Sequence, residues 1–411
     1  MNREIKPNKK GICSWIIYDM SSTLFFSGVV GLVFPLWVTG PMGGNDATVG
    51  YTLTVSMILV FFLSPFLGVF SDSIKRRMPF ILILTLLGFL MIMSIGTFTY
   101  EVSIIIFCAA ASCLHLVGIF YNGMLSDITT KENVGYIGGI GVGIGYVGGV
   151  LAVLLGVLFL ESMGHVFLFR VMAITSLVLA TPLLIVGNYR TIKPFSIPIY
   201  SLLLVSIKFT SLAVINSFRD RNWMFFLFAR FWYLWAVNAA SFFAVLYGVN
   251  TVELSEREVQ LILLLGIVTG IPMGLVWGWA TDRMGPLFVM KINVFVWVII
   301  LSLAASIPIF DLQKELWWLV GPFSGSALAG LYVSERPFVL SLAGRNQIGE
   351  FFGVFNMAGR LAAIAGPFSW GFISVTLGLG QTAAIICLAI CVTIALVILM
   401  SVKAPKTQSY L

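Results

Sequence analysis

Apolar residues fall along this chain in long blocks separated by short polar breaks. The first block runs from about Ser14 to Val38, and others occupy roughly 50–71, 79–100, 102–125, 136–160 and 166–187, each closed by a charge, a Gly or a Pro. A more polar stretch from Asn188 to Asp220 follows, holding Arg190, Lys193, Pro194, Pro198, Lys208 and Arg219. Six further blocks lie at about 221–247, 258–280, 286–308, 316–340, 350–375 and 379–402. A bilayer core about 30 Å thick takes about 20 apolar residues per helix, so each block predicts one crossing. The expected fold is an all-α membrane protein of twelve transmembrane helices. The first block is too long for a signal-peptide core and lacks a small-residue cleavage site, which predicts that it stays as the first span. Within the polar stretch, Ile197 to Ile207 reads as an interfacial amphipathic helix.

Composition supports lipid as the solvent. Of 411 residues, 59% are hydrophobic and 10% charged, whereas soluble domains spend about a quarter on charge; the mean hydropathy is +1.02. A net charge of +7 raises the question of a nucleic-acid partner, but the cations do not gather on one tail or face. They sort by loop instead. With the N-terminus placed in the cytoplasm, nineteen of the twenty-four Lys and Arg fall on the inner side, and only Arg257 and Lys314 lie in outer loops. Arg170, Arg230 and Arg360 fall within spans. The positive-inside rule then predicts both termini in the cytoplasm, with a bacterial inner membrane as the expected location and no nucleic acid as partner. The cysteines, Cys13, Cys108, Cys113, Cys387 and Cys391, lie in or beside apolar blocks without CxxC spacing and read as small core hydrophobes. With His115 and His165 the chain's two histidines, no metal-ligand set and no cofactor is expected.

The two halves resemble each other. The turn after the second block reads Gly68-Val-Phe-Ser-Asp72-Ser-Ile-Lys75-Arg76-Arg77, and that after the eighth reads Gly278-Trp-Ala-Thr-Asp282-Arg283-Met-Gly285. A similar shift superposes Gly135, Gly139 and Gly145 on Gly349, Gly353 and Gly359. Two parallel six-helix halves follow, an N-terminal bundle over 1–187 and a C-terminal bundle over 221–411, joined by a cytoplasmic linker at 188–220.

The Gly68–Arg77 turn resembles the signature between helices 2 and 3 of the major facilitator superfamily, and the Gly278–Gly285 turn resembles its partner in the second half. The resemblance implies a cytoplasmic gate built from Gly68, Asp72, Arg76, Arg77, Gly278, Asp282 and Arg283. Glycine lets helices approach, Asp72 accepts bonds from a helix N-terminus or a facing Arg, and the arginines hold the turn at the anionic leaflet. Within the superfamily the chain is similar to the vacuolar-effluxer-like permeases, the autophagy-related amino-acid effluxers and their bacterial relatives. That similarity rests on Tyr18-Asp19, Tyr121-Asn122, the Gly-rich run Gly135–Gly149, Ser334 with Arg336, and Glu350-Phe351-Phe352-Gly353 with Gly366-Pro367. It departs in the seventh block, where those permeases carry Tyr-x-Asp-Gly and this chain has Tyr233-Leu234-Trp235-Ala236 with Arg230 one turn before. The Gly-rich run also invites comparison with drug/proton antiporters, but their Pro is absent. Tight packing of the fifth block against the eighth is the reading preferred.

Charges inside spans are the first site candidates, since each costs about 2.5–3.5 kcal/mol on insertion scales. Asp19 lies early in the first block and reads as a binder of a substrate amine, a proton carrier, or a snorkelling charge. Arg230 sits at nearly the repeat-equivalent position of the seventh block. The superfamily resemblance implies that helices 1, 4, 7 and 10 line a central cavity, so an Asp19–Arg230 pair facing that cavity is expected. Arg360, near the middle of the eleventh block, either attracts an anionic group or locks two helices together. Glu335 and Arg336 either neutralise each other or join the gate around Asp282. His115 reads as a proton relay or as a helix histidine bonded to a neighbour. Arg230 and Tyr233, three apart, share a helix face more cleanly than Tyr233 and Asn238. Tyr121 and Asn122 read as cavity residues or interface anchors, with Tyr18 beside Asp19 a further candidate.

The expected function is secondary transport of a small polar or charged organic solute, an amino acid or related metabolite, by alternating access, with export of amphipathic compounds such as drugs or siderophores as the alternative. No Walker motif, GxSxG or HExxH is present, so a solute or ion gradient is the expected energy source and enzyme chemistry is not. The expected partners are that solute, a coupling proton or ion, and the bilayer, with the chain working as a monomer.

Overall fold

The computed structural model describes residues 9–74, 77–128, 134–186, 220–342 and 348–404. Arg76 and nearly all of the linker lie outside these residues, as do the surroundings of Gly68 and the side chain of Asp72, so the gate expected there is described only through Arg77, Gly278, Asp282 and Arg283. All regular structure among the described residues is helical. The helices are α1 (Lys9–Thr39), α2 (Asp46–Ile74), α3 (Met78–Met93), α4 (Tyr100–Ile128), α5 (134–163) and α6 (165–186), then α7 (Arg221–Asn250), α8 (Glu256–Met284), α9 (Pro286–Ile309), α10 (Trp317–Leu342), α11 (Ile348–Gly371) and α12 (Gly380–Ser401). Among the described residues, ten helical stretches are long and apolar enough to cross a bilayer; the 53-residue stretch Val134–Val186 contributes one of them and α3 is shorter.

Local chemistry sets most helix ends. Asp220 caps α7 by accepting from the backbone N–H groups of Asn222 at 2.9 Å and Trp223 at 3.2 Å. Ser255 and Glu258 form a reciprocal capping box at the start of α8. Gly164, at φ 77°, breaks the chain between α5 and α6. His165, which falls between the fifth and sixth apolar blocks of the sequence, belongs to the helical stretch and begins α6. The third block ends earlier than its apolar run implies. Met93 is the last helical residue because Ser94 and Thr97 close a turn by a 3.2 Å backbone bond and Gly96 takes φ 80°. Within α1, Phe25–Val33 winds as a π-helix, and the same winding extends α11 over Phe372–Thr376.

Contacts divide the chain into two compact units, Met1–Gly44 with Val55–Ile207, and Asn45–Thr54 with Lys208–Leu411. The first unit packs α1 on α5 without space between them. Trp15 lies on Gly141, and a Cβ on Gly148 would collide with the backbone of Met20. Gly141, Gly145 and Gly148 of the run face α1. Trp15, Tyr18, Ile81, Phe120, Tyr121 and Leu183 form part of this unit's core. In the second unit α8 and α10 cross backbone to backbone, with a Cβ on Gly266 falling 2.8 Å from the Gly321 carbonyl oxygen and one on Gly325 striking Gly266. The first turns of α2 belong to this unit, where Gly50 lies under the carbonyl of Pro367. Large apolar side chains cover the outside of both units, with Leu275 78% and Phe62 73% exposed. Such surfaces are stable only against lipid.

Candidate functional site

In the second unit, Arg230 and Tyr233 project from one face of α7, as their three-residue spacing implies. Both turn toward α10. The Arg230 guanidinium pairs with Glu335 at 3.2 Å, and the Tyr233 hydroxyl donates to the other Glu335 oxygen at 2.7 Å. Arg230 also donates to the Phe355 carbonyl at 2.7 Å and stands 3.5 Å over the Phe355 ring. Gly359 makes the fit possible, since a Cβ there would lie 2.7 Å from a guanidinium nitrogen. All three polar side chains are buried, at 7% for Arg230, 0% for Tyr233 and 3% for Glu335. Two opposite charges in so dry a setting must satisfy one another, because each alone would carry a desolvation cost of several kcal/mol.

Within its own unit, the ion pair of Arg230 is thus with Glu335. Arg336 is exposed while Glu335 is buried, so the two do not neutralise each other: consecutive residues on a helix diverge by about 100°. Asp282 and Arg283 are both exposed, and Arg283 sits 5.1 Å over the Trp279 ring. Gly278 faces α10 loosely, its added Cβ 3.8 Å from Val333. Asn238 is half-buried.

In the first unit, Asp19 is half-buried on α1 with its carboxylate pressed against Gly145 of α5 and close to Thr23. It acts electrostatically on the Tyr121 hydroxyl. Tyr121 and Trp15 hold each other reciprocally. The indole N–H donates to the Tyr121 carbonyl at 3.1 Å, the Tyr121 hydroxyl donates to the Trp15 carbonyl at 2.9 Å, and the rings stack at 4.7 Å. Tyr18 is buried with its hydroxyl 2.7 Å from that of Thr85. Tyr18 and Tyr121 are therefore engaged in binding α1 to its neighbours, whereas Asn122 is exposed. His115 is half-buried with its ring 4.3 Å from that of Phe26. Arg77 donates to the Gly123 carbonyl at 2.5 Å, fastening the turn before α3 to α4.

A further polar cluster escaped the sequence reading. Asp46, at the first position of α2 and 6% exposed, accepts from the Trp370 indole and the Gln381 amide, both at 2.7 Å. Gln381 in turn accepts from Thr251 at 2.5 Å. An acid opening a helix is ordinary by sequence, and nothing local signals partners more than 300 residues away. Half-buried Trp232 and Trp235 stack at 5.2 Å, and the Trp235 indole donates to Ser369 at 2.8 Å.

Apolar helices of spanning length, lipid-facing exteriors and buried polar clusters define a multi-pass integral membrane protein. A family model described as Major Facilitator Superfamily matches residues 20–367, and the chain belongs to that superfamily of transporters. A Bacillus subtilis (strain 168) protein described as an uncharacterized MFS-type transporter, YxiO, is 23% identical and aligns over 94% of this chain and 93% of its own. An Aquifex aeolicus (strain VF5) protein described as uncharacterized is 24% identical over 87% of this chain and 88% of its own. Among solved structures, a mutant of the nucleoside transporter NupG matches with a TM-score of 0.76 at 14% identity, covering 95% of this chain and 99% of that one. A POT family transporter in complex with 5-aminolevulinic acid matches with a TM-score of 0.73 at 12% identity, covering 96% and 95%. These likenesses are of fold.

Proposed function

We propose that the chain is a secondary active transporter that moves a small polar or charged organic solute, an amino acid or related metabolite, by alternating access of two six-helix bundles across twelve crossings. The observation that carries this reading is the Arg230–Glu335–Tyr233 cluster, two charges and a hydroxyl buried among helices whose outer faces are apolar. Apolar residues of similar volume are often as stable as a buried ion pair or more so, and ionisable groups within spans mark solute or ion pathways. Asp19 on Gly145 supplies a second such group in the other half of the sequence. The amino-acid assignment draws on the resemblance to vacuolar-effluxer-like permeases. Fold neighbours described as a nucleoside transporter and as a complex with 5-aminolevulinic acid agree with a small polar solute.

Counterflow in proteoliposomes tests the reading. Vesicles preloaded with amino acids, organic acids or nucleosides should accumulate the matching radiolabelled solute, and the accumulation should be lost in Glu335→Gln. Absence of exchange across the panel overturns the carrier function. A second reading, export of amphipathic compounds, is favoured by the stacked Trp232–Trp235 pair and predicts dye efflux from loaded vesicles instead.

A further inference from the structure

Cations from three helices gather at one end of the second unit, whereas half-buried Arg360 stands midway along α11. Lys291 lies in the second turn of α9, and its ammonium is 3.5 Å from the carbonyl oxygen of Val402, the residue after α12. The backbone of Lys403, next in the chain, exchanges two hydrogen bonds with the Asn222 side chain in the first turn of α7, at 2.7 and 2.8 Å. Arg221 opens that turn and is exposed, its guanidinium 5.2 Å over the Phe225 ring. Fixed bond lengths put the Lys403 Cα within about 6 Å of the Lys291 ammonium. Two lysine side chains can therefore close on one anion there. Lys291, Lys403 and Arg221 make no ion pair with any described residue. The described acids at this end are Asp220, which accepts from two backbone N–H groups of α7, and exposed Asp282 in the last turn of α8. The surface running away from the cations is apolar. Lys291 sits between exposed Phe288 and Phe295, one turn to either side on α9, and Met400 and Val397 are exposed on α12. A lysine in such a stripe extends its ammonium toward the polar end of its helix, which is where the Val402 carbonyl meets it.

We propose that Lys291 and Lys403, with Arg221 adding charge at the same end, hold the phosphate of an anionic phospholipid whose acyl chains lie along the exposed apolar stripes of α9 and α12. The site is separate from the Arg230 cluster and does not rest on the carrier reading. Basic groups between helices at a membrane end take anionic headgroups, and ammonium groups bind phosphate as point charges. A soluble phosphate would meet only the cations, while a phospholipid meets the cations and the apolar wall together. A zwitterionic lipid brings its own cation to the site and gains less.

Native mass spectrometry of the delipidated full-length protein in detergent tests this, with dioctanoyl phosphatidylglycerol as the anionic lipid, dioctanoyl phosphatidylcholine as the zwitterionic lipid and glycerophosphate as the phosphate without chains. Phosphatidylglycerol should give its first adduct at a lower concentration than phosphatidylcholine does, and glycerophosphate should give none in that range. Apparent affinity for phosphatidylglycerol should fall about fivefold in Lys403→Gln and about tenfold or more in the double variant Lys291→Gln with Lys403→Gln. It should be unchanged in Lys314→Gln, which removes a cation from the opposite end, between α9 and α10. Equal affinity for the two lipids, unchanged affinity in the double variant, or an equal loss in Lys314→Gln overturns the proposal. Glycerophosphate bound as tightly as phosphatidylglycerol would show a soluble-anion site and overturn the lipid assignment. If the double variant does not fold, Lys403→Gln, altered at an exposed position, and the comparison of probes on the unaltered protein decide.

Discussion

At the scale of single residues, the Arg230–Glu335 pair makes an asymmetric prediction. Replacing Arg230 with Met strands Glu335 at 3% exposure with the Tyr233 hydroxyl as its remaining donor among the described residues. Breaking a buried pair from one side costs about 3–5 kcal/mol. Arg230→Met should therefore lower the apparent melting temperature in detergent clearly, whereas the double variant Arg230→Met with Glu335→Met should recover most of the loss. Thermal unfolding of the three proteins side by side checks this, and equal destabilisation of the single and double variants would show that the charges do not depend on each other. Counterflow by the same proteins adds the functional half: the stable double variant should still fail to exchange solute. The sequence shows why only part of this was legible. Arg230 and Tyr233 announce a shared face through spacing alone, but the acid lies 105 residues on. Arg336 beside Glu335 leaves both local neutralisation and a place in the gate open to the sequence, and the structure buries Glu335 while Arg336 is exposed.

At the scale of elements, block length located the helices because bilayer thickness dictates it. Glycine position fixed how closely they pack, but not against which partner. Gly141, Gly145 and Gly148 recur every three to four residues and so form one face of α5; which helix fills that face depends on tertiary pairing, and α1 does so. The α8–α10 crossing supplies a controlled test. A Cβ at Gly325 would strike the backbone of Gly266, which cannot rotate aside, while Gly274 on α8 has nothing within 4 Å. Gly325→Ala should then cost about 1–3 kcal/mol through forced separation of the helices, whereas Gly274→Ala should be neutral or slightly stabilising, since Ala is the better helix former. Melting curves for the pair discriminate the two effects. Equal effects at both sites would mean that helix propensity, not the crossing, decides.

At the scale of the whole molecule, the two ends of the second unit carry different charge. Asn222 at the start of α7 exchanges two amide hydrogen bonds with Lys403, at 2.7 and 2.8 Å, so the first and last helices of this unit share an end with Arg221. Lys291 reaches the Val402 carbonyl at 3.5 Å and belongs to the same end. The far end, marked by the Thr251–Gln381 bond, gathers Asp46, Glu253, Glu256, Glu258, Asp311 and Glu315 around only Arg257 and Lys314. Translocation retains Lys and Arg far more strongly than it retains acids, so the Asn222–Lys403 end should face the cytoplasm. Alkaline phosphatase, which is active only outside the cytoplasm, should then be inactive when fused after Lys403 and active when fused after Leu254. The opposite pattern would reverse the orientation and place Asp46, Trp370 and Gln381 on the inner side. The expected pattern places that buried carboxylate cluster at the outer end, where Asp46→Ala would take away the acceptor of the Trp370 indole and should lower the melting temperature without altering the fusion pattern.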